Sequence, residues 1–274
     1  MAGKSKAPGK DYYSSSGWDE SAWVDVIAIE YESLIDAYPF DEVLDSNSGE
    51  SPKRLLDIGC GTGIFPRFLD PRLTDTTSLL CDLLDISAES LRAAEKVFGE
   101  LKHFEVDELF NMSIEEIPAL LSTEAKSYEV IWTIHSLTTV DQTQMKEVFQ
   151  HLRKLLAPGG HFFIYQLTAE SSYQALHQSY AQAIGLSAPA IPYMQFEDSL
   201  NILEEMDWPA DVHELAFPHQ IAKSDGPRLE AYLQKVVLDS SINAIELFGE
   251  ELENYLQGDE FVFPQTVNLI VLQK

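Results

Sequence analysis

Cysteine is scarce: the 274 residues hold only two, Cys60 and Cys81. Two thiols are too few for a disulfide framework or a cysteine metal cluster. One lies in a glycine-rich turn and the other in an apolar run, so both read as small buried residues of a reducing compartment. Basic residues are scarce as well. Eighteen Lys and Arg stand against 45 Asp and Glu, a formal net charge of −27. A field of that sign repels polyanions, which argues against nucleic acid and anionic membrane surfaces as partners. No apolar run reaches the ~18 residues that a membrane span needs. The basic start, Met1 to Lys6, lacks the apolar core of a signal peptide. The expected location is cytoplasmic.

What is present suits a globular chain. Hydrophobic residues make up 45% of it and aromatics 11%, enough for a sizeable core and too rich for disorder. A helix is expected from about Glu20 to Tyr38, stopped by Pro39, with Val24, Ile27, Tyr31, Leu34 and Ile35 on one face and Asp19 or Ser21 as its cap. A loop is expected over 41–53. Strands are expected at Arg54–Ile58, Ser78–Leu84, either His103–Val106 or Glu108–Met112, Tyr128–Ile134 and His161–Leu167. Helices between them are expected at Ile64–Leu69, from Ser87 onward and at Gln142–Leu156, the last stopped by Pro158-Gly159-Gly160. Alternation of strand and helix argues for a parallel sheet covered on both faces. Late strands are expected at Val212–Phe217 and Thr266–Leu272, with mostly helical pattern between them.

The strongest chemical signal is Leu55-Leu56-Asp57-Ile58-Gly59-Cys60-Gly61-Thr62-Gly63. A strand ends there in a tight turn whose glycines remove the Cβ atoms that would block a ligand. The next helix presents its free N–H groups to the same crevice. Asp85 follows at the end of the second strand, where a carboxylate can accept hydrogen bonds from ribose hydroxyls. The pair points to a nucleotide-type cofactor, with dinucleotide and methyl-donor cofactors both open on this geometry.

With Leu83-Leu84-Asp85-Ile86-Ser87 and Leu155-Leu156-Ala157-Pro158-Gly159-Gly160, the glycine turn resembles the class I methyltransferase family. That resemblance implies an α/β Rossmann-like fold with seven strands, mostly parallel, the last antiparallel, and helices on both faces. It implies S-adenosyl-L-methionine as cofactor. It implies cofactor roles for Asp57, Gly59, Cys60, Gly61 and Gly63, for Asp85 at the ribose, for Ser113 and Ile114 at the adenine, and for Ile134 beside them. The organisation expected is one methyltransferase domain over 1–274: an N-terminal lid and helix (1–40), a cofactor-binding core (52–167), and a helical substrate-side lobe with the last two strands (168–274).

A second, diffuse likeness rests on Ile131 to Leu137, the helix around Tyr173–Tyr180, Phe196–Leu203 and Phe263 to Asn268. These segments are similar to histamine N-methyltransferases, which implies methylation of a small amine or imidazole. It also implies that His135, Gln265 and an acid near the N-terminal helix, Asp19 or Glu20, face the substrate. The chain departs from that family at His135 and at Thr138-Thr139.

His135 follows an apolar strand at its carboxyl end and is the candidate base. A satisfied core histidine is the competing reading. Trp18 as part of a lid, and Tyr173 and Tyr193 as walls, complete the expected substrate set. No metal-ligand spacing is present. The expected partner is a small-molecule substrate, and the chain is expected to be a monomer or homodimer. O-methylation of a hydroxyl or carboxylate, a non-catalytic cofactor-binding protein and an NAD-dependent dehydrogenase are the alternatives.

Overall fold

The structure, a computed structural model, describes residues 12, 24–46, 51–120, 126–138, 140–185 and 194–274. Eight strands make one sheet: β1 Lys53–Ile58, β2 Leu79–Asp85, β3 Phe104–Asn111, β4 Tyr128–Ile134, β5 Leu156–Leu167, β6 Ala210–Ala222, β7 Leu256–Gln257 and β8 Glu260–Gln273. Their spatial order is β3-β2-β1-β4-β5-β8-β6, with β7 paired to β8. The first five run parallel. β8 runs antiparallel to β5 and to β6. The seven expected strands are present, and the two-residue β7 is an eighth.

The helices are α1 Val24–Ala37, α2 Phe40–Leu44, α3 Ile64–Leu69, α4 Ala88–Phe98, α5 Ile117–Leu120, α6 Gln142–Leu155, α7 Ser172–Ala183, α8 Phe196–Glu205, α9 Gly226–Val237 and α10 Ala244–Phe248. Short polar side chains start several of them. Ser87, Asp141, Ser171 and Asp225 each accept a backbone N–H of the first turn of α4, α6, α7 and α9, which satisfies a donor the helix cannot. Successive strand residues enter opposite layers. Leu55 and Phe163 join a core with α1, α3, α4, α7 and α9, while Leu56 and Phe162 join one with α6 and α8.

Four local expectations change. Residues 41–53 are not all loop, because α2 forms and buries Phe40 and Leu44. The two candidate third strands are one strand. Its register slips by one residue where Val106 pairs Cys81 and Glu108 pairs Asp82. Buried Asp82 accepts the Glu108 N–H at 3.1 Å and the Tyr128 hydroxyl at 2.7 Å, so its carboxylate sits at the irregularity and holds it. Pro158-Gly159-Gly160 is no inter-element turn. Helix passes to strand at Leu155–Leu156, and these residues bulge inside β5, with Gly159 at φ +75°. Finally, β6 and β8 are longer than their apolar patterns. Pairing continues from Thr266 opposite Ala216 to Glu260 opposite Ala222, beyond the last β5 pair, Leu167 with Val267. This two-stranded overhang stands above the carboxyl ends of β1, β4 and β5, and α1 packs against β6.

Candidate active site

At the end of β1 the chain turns through three left-handed glycines: Gly59 at φ +70°, Gly61 at +53° and Gly63 at +82°. Leu84 O accepts the N–H groups of Gly59 and Cys60 at 2.7 and 3.1 Å. Asp85 holds the turn from the neighbouring strand. Its Oδ2 accepts the Gly61 N–H at 3.0 Å and its Oδ1 the Ser87 N–H at 2.8 Å. Each carboxylate oxygen keeps a second lone pair for another donor.

The three glycines do different work. A Cβ on Gly59 would lie 2.2 Å from Ser136 Cβ, so the turn packs directly against the loop after β4. Gly59→Ala is therefore expected to force these loops apart and lower the thermal midpoint, as overpacking costs about 1–3 kcal/mol. An unchanged midpoint by calorimetry refutes this. A Cβ on Gly61 would meet nothing within 4 Å. Gly63 starts α3, and a Cβ there would lie 3.3 Å from Phe98 and Val97; the cavity lining passes through Gly61 and Thr62 beside it.

A cavity opens beside this turn, at the carboxyl ends of β1, β2 and β4. Asp57, Gly59, Cys60, Gly61 and Asp85 line it on one side, and Ser113, Ile114 and Ile134 on another. Burial pushes the Asp57 carboxyl up to about 7; the Trp132 indole pulls it down and nearby Asp85 pushes it further up. Burial also raises Asp85, against the backbone N–H groups of Ser87 and Gly61.

His135 and Tyr173 line the deeper side with Glu30 and Tyr31 of α1 and Lys235 of α9. His135 is held with unusual firmness. Its backbone is left-handed at φ +56°, its N–H donates to Tyr165 O at 3.0 Å, and its carbonyl accepts the Thr138 hydroxyl at 3.1 Å. A non-glycine residue in this region costs of order 1 kcal/mol or more, and the surrounding bonds hold it there. Its Nε2 is in close contact with Glu30 Oε1. Among the described residues its Nδ1 has no hydrogen-bond partner.

Glu30 is 4% exposed. Burial raises its carboxyl, but His135 and His219 together outweigh that and hold it well below the usual carboxylate range. Behind it, His219 Nε2 stands 3.3 Å from Oε2. Lys235 lies with Nζ 4.7 Å from the Tyr173 ring centre. Burial lowers its amine to about 8 while Glu30 pulls it up.

Gln265 is placed differently from its expected role. It is 1% exposed and is not a cavity residue. Its amide is taken up by Ser171, Ser172 and Tyr232, because it sits on the overhang behind the cavity wall. Trp18, Asp19, Glu20 and Tyr193 lie outside the described residues. Glu30 and Lys235 were missed. The signal for Glu30 is an acid three residues after Ile27 and four before Leu34, inside the apolar stripe of α1. Among the described residues no group of His, Cys, Asp or Glu has metal-binding geometry, and no helix is long and apolar enough to cross a membrane.

The profile of a family described as a methyltransferase domain matches residues 31–213, more than half of the chain. A highly reducing polyketide synthase of Emericella nidulans is 32% identical over 120 residues, 42% of this chain; the chain spans 4% of that protein's length. Among solved structures, a putative methyltransferase from Bacillus halodurans matches with a TM-score of 0.54 at 13% identity, over 86% of this chain and 98% of its own. A putative sarcosine dimethylglycine methyltransferase from Galdieria sulphuraria matches at 0.52 and 15% identity, over 90% and 86%. A plantazolicin methyltransferase, solved with a triazolic desmethylPZN analogue and SAH, matches at 0.51 and 16% identity, over 98% and 95%.

The fold is that of the class I methyltransferases. The chain belongs to the methyltransferase-domain family. The narrower likeness to histamine N-methyltransferases is not shown by these comparisons. The residues fit the cofactor: a glycine cradle, which a side chain would fill, lies beside a carboxylate with lone pairs to spare.

Proposed function

We propose that the protein transfers a methyl group to a small-molecule acceptor, at a nitrogen of an amine or imidazole compound, with His135 as the base. The observation that carries this reading is the contact of buried Glu30 with half-buried His135 on the wall of the same cavity as the glycine turn.

S-adenosylmethionine, when bound, supplies an electrophilic methyl on a positively charged sulfur. The chain's own residues do the rest. The Gly59–Gly61 turn and Asp85 receive the nucleoside end, with Asp85 accepting from the ribose and Ser113 and Ile114 flanking the base. Asp57, at the end of β1, lines the same cavity and is held by the Trp132 indole. An amine attacks only through a free lone pair, so a protonated nitrogen must first lose its proton. His135 Nδ1 takes it, and the resulting imidazolium is balanced by Glu30 through Nε2. The cavity walls would hold the acceptor so that its lone pair meets the methyl, and alignment is most of what such a transfer requires. Tyr173 and Tyr31 wall the acceptor side.

A hydroxyl acceptor would use the same base, and the two are separated by the product. The test is a radiolabelled methyl-transfer assay over amines, imidazoles, phenols and carboxylic acids, with calorimetric titration of S-adenosylhomocysteine. Label on nitrogen of one of the first two classes is the expected result. Label confined to oxygen replaces the nitrogen reading, and label on none of them, with or without heat of binding, overturns it.

A further inference from the structure

Basic residues are scarce in this chain, 18 Lys and Arg against 45 Asp and Glu, yet one lysine reaches the cavity. Among the described residues Lys235 is the only Lys or Arg on its wall. It stands in the last turn of α9, beside the face that buries Leu229, Tyr232, Leu233 and Val236. A cation suits the free carbonyls of a helix end, and a lysine reaching outward would serve that purpose as well. This one turns to the Tyr173 ring on α7, with Nζ 4.7 Å from the ring centre, within range of cation–π attraction. Tyr173 is packed in turn against Tyr232, edge-on at 5.7 Å. A packed aromatic wall therefore fixes where the ammonium stands.

We propose that Lys235 binds a carboxylate of the acceptor, so that the substrate class is a small nitrogen compound carrying one acid group, an amino acid or an imidazole acid. This rests on the reading of the His135 side of the cavity as the acceptor side. The charges there favour a single anion. Asp57 and Asp85 stand at the glycine turn, and Glu115 accepts the Asp141 N–H, which leaves Glu30 as the acid facing His135 and Lys235. When His135 takes a proton during transfer, two cations share that one carboxylate. A carboxylate on the acceptor balances the second. A phosphate monoester, with about two negative charges, would leave one uncompensated beside Glu30. Burial lowers the Lys235 amine, as it does for an ammonium short of water, and an anion beside it restores what solvent no longer gives. The mean field of the surface, at −27, works against an anionic acceptor, so the recognition is local to this wall.

The experiment is calorimetric titration of the full-length protein, saturated with S-adenosylhomocysteine, with matched pairs that differ only in charge: imidazole-4-acetate against its amide, and β-alanine against its amide. In at least one pair the acid is expected to bind about 10–100-fold more tightly, the range of a charge-assisted hydrogen bond. Lys235→Met, which keeps the apolar stem, is expected to bring the acid down to the level of its amide and to leave the amide unchanged. Lys235→Arg, which keeps the charge, is expected to retain a preference for the acid. No acid bound better than its amide by the parent overturns the proposal. So does a preference that survives in Lys235→Met, or an equal loss of acid and amide, which marks a structural role. The cofactor has a carboxylate of its own, and a loss of S-adenosylhomocysteine affinity in Lys235→Met without loss of acid preference would assign the lysine to that carboxylate and overturn the proposal as well. The nitrogen reading itself fails by a different result, transferred label found on oxygen, whichever way the acids bind.

Discussion

A Gly61→Val variant is expected to bind S-adenosylhomocysteine about 10–100-fold more weakly than the parent, because forcing a side chain into occupied space costs about 1–3 kcal/mol and each 1.4 kcal/mol is tenfold. Two effects act at this position and they read out differently. At φ +53° a β-branched residue is strained. That strain is present with and without ligand and appears as a lower thermal midpoint. The side chain itself projects into open space on the cavity wall, since nothing lies within 4 Å of its Cβ, so its bulk appears only against a bound ligand. Gly61→Ala carries most of the backbone strain with little of the bulk. Calorimetric titration of the three proteins separates the terms. Equal affinity in the valine variant and the parent would show that the cofactor does not lie against Gly61.

The second large effect is expected at the buried pair. His135→Ala should lower the rate of methyl transfer by about 10²–10⁴-fold, the usual contribution of a positioned base, with S-adenosylhomocysteine affinity kept. Glu30→Gln is expected to fall in the same range. Without the carboxylate the imidazolium formed during transfer loses its counter-charge. Stability carries its own signature. Glu30 is held well below the usual carboxylate range, so the stability it contributes is present above that range and is lost as pH falls through it and below. Glu30→Gln should flatten the acid side of the thermal-stability profile. Parent-like methyl transfer in His135→Ala or in Glu30→Gln would remove the pair from the reaction.

The sequence by itself determined the cofactor half of the molecule. Its signals are local: an apolar strand running into Gly59-Cys60-Gly61, an acid closing the next strand at Asp85, and short polar caps such as Ser87 and Asp141 starting the helices that follow. Each feature acts within a few residues of itself, so pattern and spacing are enough to read it. Boundaries failed where a side chain from elsewhere intervened. Asp82 holds the irregularity that joins the two halves of β3, and pairing with β4 draws Pro158-Gly159-Gly160 into β5.

Only the tertiary structure decided the acceptor half. The Glu30, His135, His219, Tyr232 and Gln265 chain comes from α1, the loop after β4, β6, α9 and β8. It exists because the β6–β8 overhang stands above the sheet and α1 packs against β6. In sequence, Glu30 is one acid in an amphipathic helix and Gln265 one amide in an apolar strand. What makes the first a buried counter-ion, and the second a support behind the wall instead of a substrate contact, is the removal of water around them. Burial turns weak polar contacts into obligatory ones, and burial is a property of the assembled layers that no short stretch of sequence carries.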